Sequence, residues 1–468
     1  MKLLSELKRI IKSDKSDNPP RTGHSERWDN KALFHLIWPL VIEQILAVTM
    51  GTADTIMVSP VGEFAVSGVN IVDNINNLLI IAFTALSTGG AVVASQYIGR
   101  KDSKNASLAA RQLIYIVTIV SLLTMIIALC FRRPLISLIY GNLEPDVMNA
   151  AAIYLLITAV SYPFLAVYSA SAAIFRASGN SKITMGIALM VNVINISGNA
   201  LFLYGFKFGA GGVAASTLIS RVMAAIILTA MLIRDKKGPV SLSGVFKIHF
   251  VRPMLKSILN VGIPSGLESS MFQFGRLFTQ RIFATFGTVA LAANAVGSSI
   301  SSFSFMPGMA YAMALLTVVG QCVGAGDYQA AKRYTVKIMK IAFITLFFVS
   351  LLIFLFMENL IGFFNLSPAA EDMAKTFIRV HCISMAFGWA FSFALPNALR
   401  AAGDARFVMI AATISMWTVR VSAAYLLTYV AGVGPIGVWL AMGGDFFVRG
   451  TIFVTRWLRG KWQDKKVI

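Results

Sequence analysis

The chain has 468 residues, 57% of them hydrophobic and only 13% charged. A water-soluble globule carries about a quarter charged residues, so this composition excludes one and indicates a polytopic membrane protein. The formal net charge of +20 would suggest nucleic acid in a soluble chain, but here the basic residues fall between apolar runs, as positive-inside sorting requires, and no nucleic-acid partner is expected.

Met1 to Lys31 is polar and basic, contains Pro19 and Pro20, and lacks the apolar core of a cleavable signal; it reads as a cytoplasmic tail. Twelve transmembrane helices are predicted, over 32–58, 64–97, 106–131, 147–176, 183–205, 212–233, 257–286, 289–322, 334–357, 370–400, 407–430 and 435–457. They group as an N-lobe (32–233) and a C-lobe (257–457) of six helices each, joined by a basic linker over 234–256 and followed by a tail over 458–468. Lys and Arg crowd the even-numbered links and both tails, whereas the opposite links offer little beyond Arg132, Arg133 and Lys207. Both termini are therefore expected in the cytoplasm, and the expected location is the cell membrane.

The first predicted helix carries Glu43 and Asp54 inside an apolar run. An acid at membrane depth costs about 2.5–3.5 kcal/mol and is usually kept to handle an ion or a substrate. A transport function is the first hypothesis. Glu43 recurs as Glu268, each four residues after a proline, Pro39 or Pro264. Gln96-Tyr-Ile-Gly99-Arg-Lys-Asp102 recurs as Gln321-Cys-Val-Gly324-Ala-Gly-Asp327, and Arg176-Ala-Ser-Gly179-Asn180 as Arg400-Ala-Ala-Gly403-Asp404. The chain is thus an internal duplication, and six helices per repeat place both halves in the membrane in the same sense.

With these motifs in order, the chain resembles the multidrug and toxic compound extrusion (MATE) transporters from residue 32 almost to its end. The resemblance rests on Trp38-Pro39, Glu43-Gln44 and Asp54-Thr55 in helix 1, Gly262-Ile-Pro264 opening helix 7, and the twin Arg-Ala-Ser/Ala-Gly motifs. It implies an all-α membrane fold of two six-helix lobes forming a V around a central cavity. It also implies export of amphipathic cationic small molecules driven by inward Na⁺ or H⁺ flow, with no bound cofactor.

Asp54 has no acidic twin, since Thr279 stands at the equivalent position. Asn192, Asn195 and Asn199 on helix 5 offer neutral oxygen ligands, with Thr217 and Tyr162 as further members of an ion-coupling pocket; Asp54, Asn195 and Asn199 would be the ligands of Na⁺. The simpler reading is a hydrogen-bond network that holds helices together. Glu43 and Glu268 are read either as a shared structural device or as a cation-attracting wall of the cavity. Arg420, opposite Asn195 in the repeat, is a possible partner for Glu268. Asp445 and Arg449, one turn apart, are expected to pair with each other. Met306, Met309 and Met313 beside Pro307-Gly308 suit a pocket that admits many shapes, or simply fill space.

Cys130, Cys322 and Cys382 are odd in number and scattered, which supports neither a disulfide framework nor a zinc site. No phosphate-binding glycine loop favours an ATP-driven pump, and no clustered catalytic pair favours an enzyme. A flippase for lipid-linked sugars on the same two-lobe fold is the alternative, kept open by Arg276, Arg281 and Arg420. A monomer is expected.

Overall fold

The computed structural model describes residues 28–58, 63–141, 143–235 and 238–468. Most of the N-terminal tail, and Lys236 and Lys237 of the linker, lie outside them. Every regular element of the described chain is a helix, and each of the twelve predicted helices has its counterpart. The first is Asn30–Val58, the second Glu63–Gly99, the third Ser103–Cys130, the sixth Ala210–Arg234, the seventh Arg252–Thr285, the ninth Tyr328–Leu355 and the twelfth Ile436–Leu458. Ten described helices are long and apolar enough to cross a membrane, and a bent pair makes an eleventh. The remaining one is the seventh, which carries Glu268, Arg276 and Arg281 along its length.

Several spans are irregular, and two of them break just ahead of a proline, which withdraws a backbone donor. The fourth breaks at Ser161, ahead of Pro163, into Pro145–Val160 and Tyr162–Ala177, bent by 47°. The eighth breaks at Phe305, ahead of Pro307, into Gly287–Ser304 and Met306–Gly324. The fifth, Ser181–Ala200, ends in a π-helical turn over Leu201–Gly205. The tenth (Pro368–Ala401) and eleventh (Ala405–Val430) each contain π-helical stretches. Two short helices, Arg132–Tyr140 and Met357–Gly362, follow the third and ninth spans and have no counterpart in the predicted set.

Two compact units emerge. One is Trp38–Gly266; the other joins Leu267–Ile468 to Trp28–Ile37. The divisions fall inside the first and seventh spans, close to Pro39 and Pro264. Small residues let helices approach closely, as membrane interiors favour. In the first unit a Cβ on Gly89 would lie 2.4 Å from the Ile258 carbonyl oxygen and 2.8 Å from the Gly262 nitrogen, so the second span and the start of the seventh meet backbone to backbone.

The repeated loop motifs are helix stops. The Asp102 N–H donates to the Tyr97 carbonyl and the Lys101 N–H to that of Ile98, each at 3.0 Å. Asp327 and Gly326 make the same two bonds to Cys322 and Val323. The twin motif behaves alike: Asn180 and Gly179 donate to Phe175 and Arg176, and Asp404 and Gly403 to Leu399 and Arg400. These are Schellman turns, whose penultimate residue takes a left-handed backbone. Asp102 and Asp327 then cap the next helix, accepting from the Asn105 N–H at 3.0 Å and the Ala330 N–H at 2.8 Å. The bonds from Asn105 hold the Asp102 carboxyl below the usual carboxylate range.

Gly326 has φ 77° and open space around its Cα, whereas its twin Lys101 adopts φ 60° with a side chain. Gly326→Ala should destabilise the protein by about 1–2 kcal/mol, and Lys101→Gly should be neutral or stabilising. Thermal melts of the purified variants check both.

Candidate functional site

Asp54, on the first span, is 7% exposed, and Asn195 and Asn199 on the fifth are fully buried. Asn199 Nδ2 donates to Asp54 Oδ1 at 2.5 Å and to Asn195 Oδ1 at 3.5 Å; Asn195 Nδ2 donates to Thr217 Oγ1 on the sixth span at 3.2 Å. The fifth and sixth spans can bring these groups together because Gly198 faces Ser216 without a side chain between them. Ser216 Oγ then donates to the Asn195 carbonyl at 2.6 Å, which fixes the register. Four of the six predicted ion-coupling residues thus form one chain, Asp54–Asn199–Asn195–Thr217.

Two do not join it. Asn192 donates to the Ala188 carbonyl of its own helix at 2.9 Å. Tyr162 donates to Asn76 Oδ1 at 2.8 Å, because the bend at Ser161 turns it toward the second span. There it belongs to another cluster: Asn76 Nδ2 and Tyr154 Oη donate to Asp73 Oδ1 at 3.4 and 3.3 Å. Arg221, buried on the sixth span, donates from Nη1 to Ser161 Oγ at 2.7 Å and acts electrostatically on both Asp73 and Asp54. Sequence reasoning overlooked Arg221, although an arginine inside an apolar run whose repeat position holds Phe446 was a usable signal.

Taken together, the Asp54 chain and the Asp73 cluster set two acids against the one guanidinium of Arg221, a formal excess of one negative charge. Among the described residues two buried acceptors find no donor, Asn199 Oδ1 within the chain and Asn192 Oδ1 outside it on the same helix. Such a cluster suits a monovalent cation or a proton: carboxylate and amide oxygens are hard neutral or anionic ligands.

Glu43 and Glu268 take equivalent partners in their own units. Arg176 Nη1 donates to Glu43 Oε1 at 2.7 Å, and Thr184 Oγ1 to Glu43 Oε2 at 2.6 Å. Arg400 Nη2 donates to Glu268 Oε2 at 2.6 Å, not Arg420 as the repeat position suggested. The correct pairing was available in the sequence, because Arg176 and Arg400 are twins just as the glutamates are; each closes the helix before its Schellman turn and is thereby delivered to the same place.

In the second unit the expected Asp445–Arg449 pair is also not formed. Asp445 Oδ1 accepts from Ser415 Oγ at 2.5 Å, while the Arg449 guanidinium stacks on Phe393, 4.1 Å from the ring centre. One helical turn of spacing permits a pair, but here the aromatic face claims the arginine. Met306 is buried and Met313 partly so, and Met309 is 40% exposed.

The MatE family model matches residues 39–201 and again 264–426, two copies offset as the internal repeat is. The chain is similar to the uncharacterized transporter YisQ of Bacillus subtilis, 31% identical over 93% of this chain and 95% of that one. It is also similar to the probable multidrug resistance protein NorM of Thermotoga maritima, 28% identical over 94% of each chain. Among solved structures, a MOP-superfamily transporter of Pyrococcus furiosus, for which reversed polarity of the binding pocket has been taken to suggest a different function, superposes with a TM-score of 0.87 at 20% identity, covering 96% of this chain and all of that one.

Double-mutant cycles check the pairings. Glu43→Gln with Arg176→Gln, and Glu268→Gln with Arg400→Gln, should each show a coupling of about 1.5–3 kcal/mol in thermal stability. Glu268→Gln with Arg420→Gln should be close to additive.

Proposed function

The chain belongs to the MatE family of transporters, and on that ground we propose that it is a secondary active exporter of amphipathic organic cations, driven by inward movement of Na⁺ or H⁺. The observation that carries the reading is the Asp54–Asn199–Asn195–Thr217 chain, buried within spans and left with one acceptor, Asn199 Oδ1, that meets no donor among the described residues. An ion or proton entering there would be held by the Asp54 carboxylate and the Asn199 and Asn195 amide oxygens. Its arrival would neutralise the surplus charge of the cluster, and its departure would restore it. A buried charge that alternates in this way changes the stability of the helices around it, which is the physical basis on which ion binding can drive a conformational cycle.

The sign of the surplus also supports cationic cargo, since the same negative charge that draws the ion draws an organic cation to this unit. Cation and ion would then compete for one charge, the simplest route to exchange. The kinship with NorM of Thermotoga maritima, a probable multidrug resistance protein, is in keeping with this.

Reconstitution into liposomes with an imposed Na⁺ or pH gradient and a fluorescent cation tests the proposal. Wild-type protein should move the dye uphill, and Asp54→Asn should abolish that movement while eluting as a folded species. Asn195→Ala and Asn199→Ala should weaken the ion dependence, and Thr279→Ala, at the repeat equivalent of Asp54, should leave it nearly unchanged. Normal gradient-driven efflux by Asp54→Asn would reject Asp54 as the coupling group.

From the distribution of Lys and Arg we also propose the orientation: twelve spans in the cell membrane with both termini in the cytoplasm. In a background lacking the three native cysteines, of which Cys130 is exposed, single cysteines at Ser103 and Ser241 should resist an impermeant thiol reagent applied from outside, and one at Ser367 should react. Labelling of the Ser103 site from outside would reverse the assignment.

A further inference from the structure

The second unit holds a buried charge cluster of the opposite sign, to which the cation-export reading gives no task. Arg420 is 7% exposed, Arg449 2% and Asp445 not at all. The three come from the eleventh and twelfth spans, with Arg420 set in the π-helical stretch Met416–Val421. The two guanidinium groups approach the same ring, Phe272 of the seventh span, at 5.2 and 5.7 Å from its centre. Asp445 acts electrostatically on both arginines, and Arg276 adds its positive charge around Arg420. Glu268, the other acid felt at Arg449, is already engaged by Arg400 at 2.6 Å.

With Arg276 exposed and left out of the count, two buried guanidinium groups against one carboxylate leave one positive charge uncompensated. Burying an unpaired charge in a membrane interior is costly. Four donor atoms share the same predicament: Arg420 Nε and Nη1 and Arg449 Nε and Nη2 are buried and meet no acceptor among the described residues. Buried donors of this strength demand an acceptor. Asp445 Oδ2 is likewise unpartnered and does not reach either arginine.

We propose that Arg420 and Arg449 form a binding site for a monocarboxylate, in surroundings made apolar by Phe272 and Phe393. A surplus of one positive charge matches one carboxylate, and the guanidinium fork presents paired N–H donors to both oxygens of a planar acid, which a spherical halide cannot exploit. The aromatic surroundings extend beyond the arginines: Phe393 stacks on the buried Trp389 at 5.2 Å and meets the buried Phe446 edge-on at 5.2 Å. Such surroundings favour an acid with an aromatic part over a short one. The site is independent of the Asp54 cluster and of what that cluster exports.

Fluorine NMR of para-fluorobenzoate with the purified full-length protein tests this. Wild-type protein should broaden the resonance saturably, and acetate should reverse the broadening whereas equal chloride should not. Arg420→Met and Arg449→Met should each weaken binding by about tenfold or more. Arg420→Lys, which keeps the charge but loses the fork, should also bind more weakly, while Asp54→Asn should bind as the wild type does. Equal broadening of para-fluorobenzyl alcohol, equal displacement by chloride, or unaltered binding by the arginine variants would overturn the proposal. The first two comparisons need only the wild-type protein, so they decide even if a variant fails to fold.

Discussion

An ionised group removed from water has to be met by opposite charge or by hydrogen bonds, and this requirement governs most of what is specific in the chain. Glu43 and Glu268 are each met by the arginine that ends a helix of their own unit. Those arginines stand where they do because a left-handed residue three positions later stops the helix and turns the chain. A backbone device in a loop and an ion pair inside the bundle are therefore one construction, made twice. Its duplication explains why both motifs persist in both halves, although neither needs to touch a transported molecule.

Where the duplicated halves part company, they do so in the sign of their buried charge. Opposite Asp54, Asn195, Arg221 and Ala224 in the first repeat stand Thr279, Arg420, Phe446 and Arg449 in the second. The first unit retains spare acceptors on Asn192 and Asn199, the second spare donors on Arg420 and Arg449. A fold with two equivalent frames has thus been given two unlike interiors by a handful of substitutions. The helices need not move for this, since each exchanged side chain sits on a face already turned inward.

The spans and the repeat were legible because length, apolar runs and offset are one-dimensional properties. Asp54 and its amide partners were legible too, since an acid and two asparagines one turn apart have few places to go. Partners chosen across helices were not. Tyr162 reaches Asn76 only because the fourth span bends at Ser161, and Asp445 turns to Ser415 because Phe393 occupies Arg449. Spacing along one helix says which residues share a face; it says nothing of what the neighbouring helix offers to that face. The Glu268–Arg400 pair shows the remedy, for two sets of twins in a duplicated chain point to each other more reliably than proximity in the repeat numbering does.

The division of the units within the first and seventh spans bears on how the chain is made. Trp38–Gly266 is a single stretch, so all its internal partners exist once Gly266 has been synthesised. The other unit is discontinuous: Trp28–Ile37 is made before that stretch, and Leu267–Ile468 after it. Its first segment must wait through the whole of the intervening unit before anything it belongs with has been translated. Closing so long a loop costs little more entropy than closing a shorter one, yet it puts the most non-local contacts of the molecule last in time. Biogenesis of this protein is accordingly ordered, with one unit able to settle during synthesis and the other completed only when the ribosome has finished.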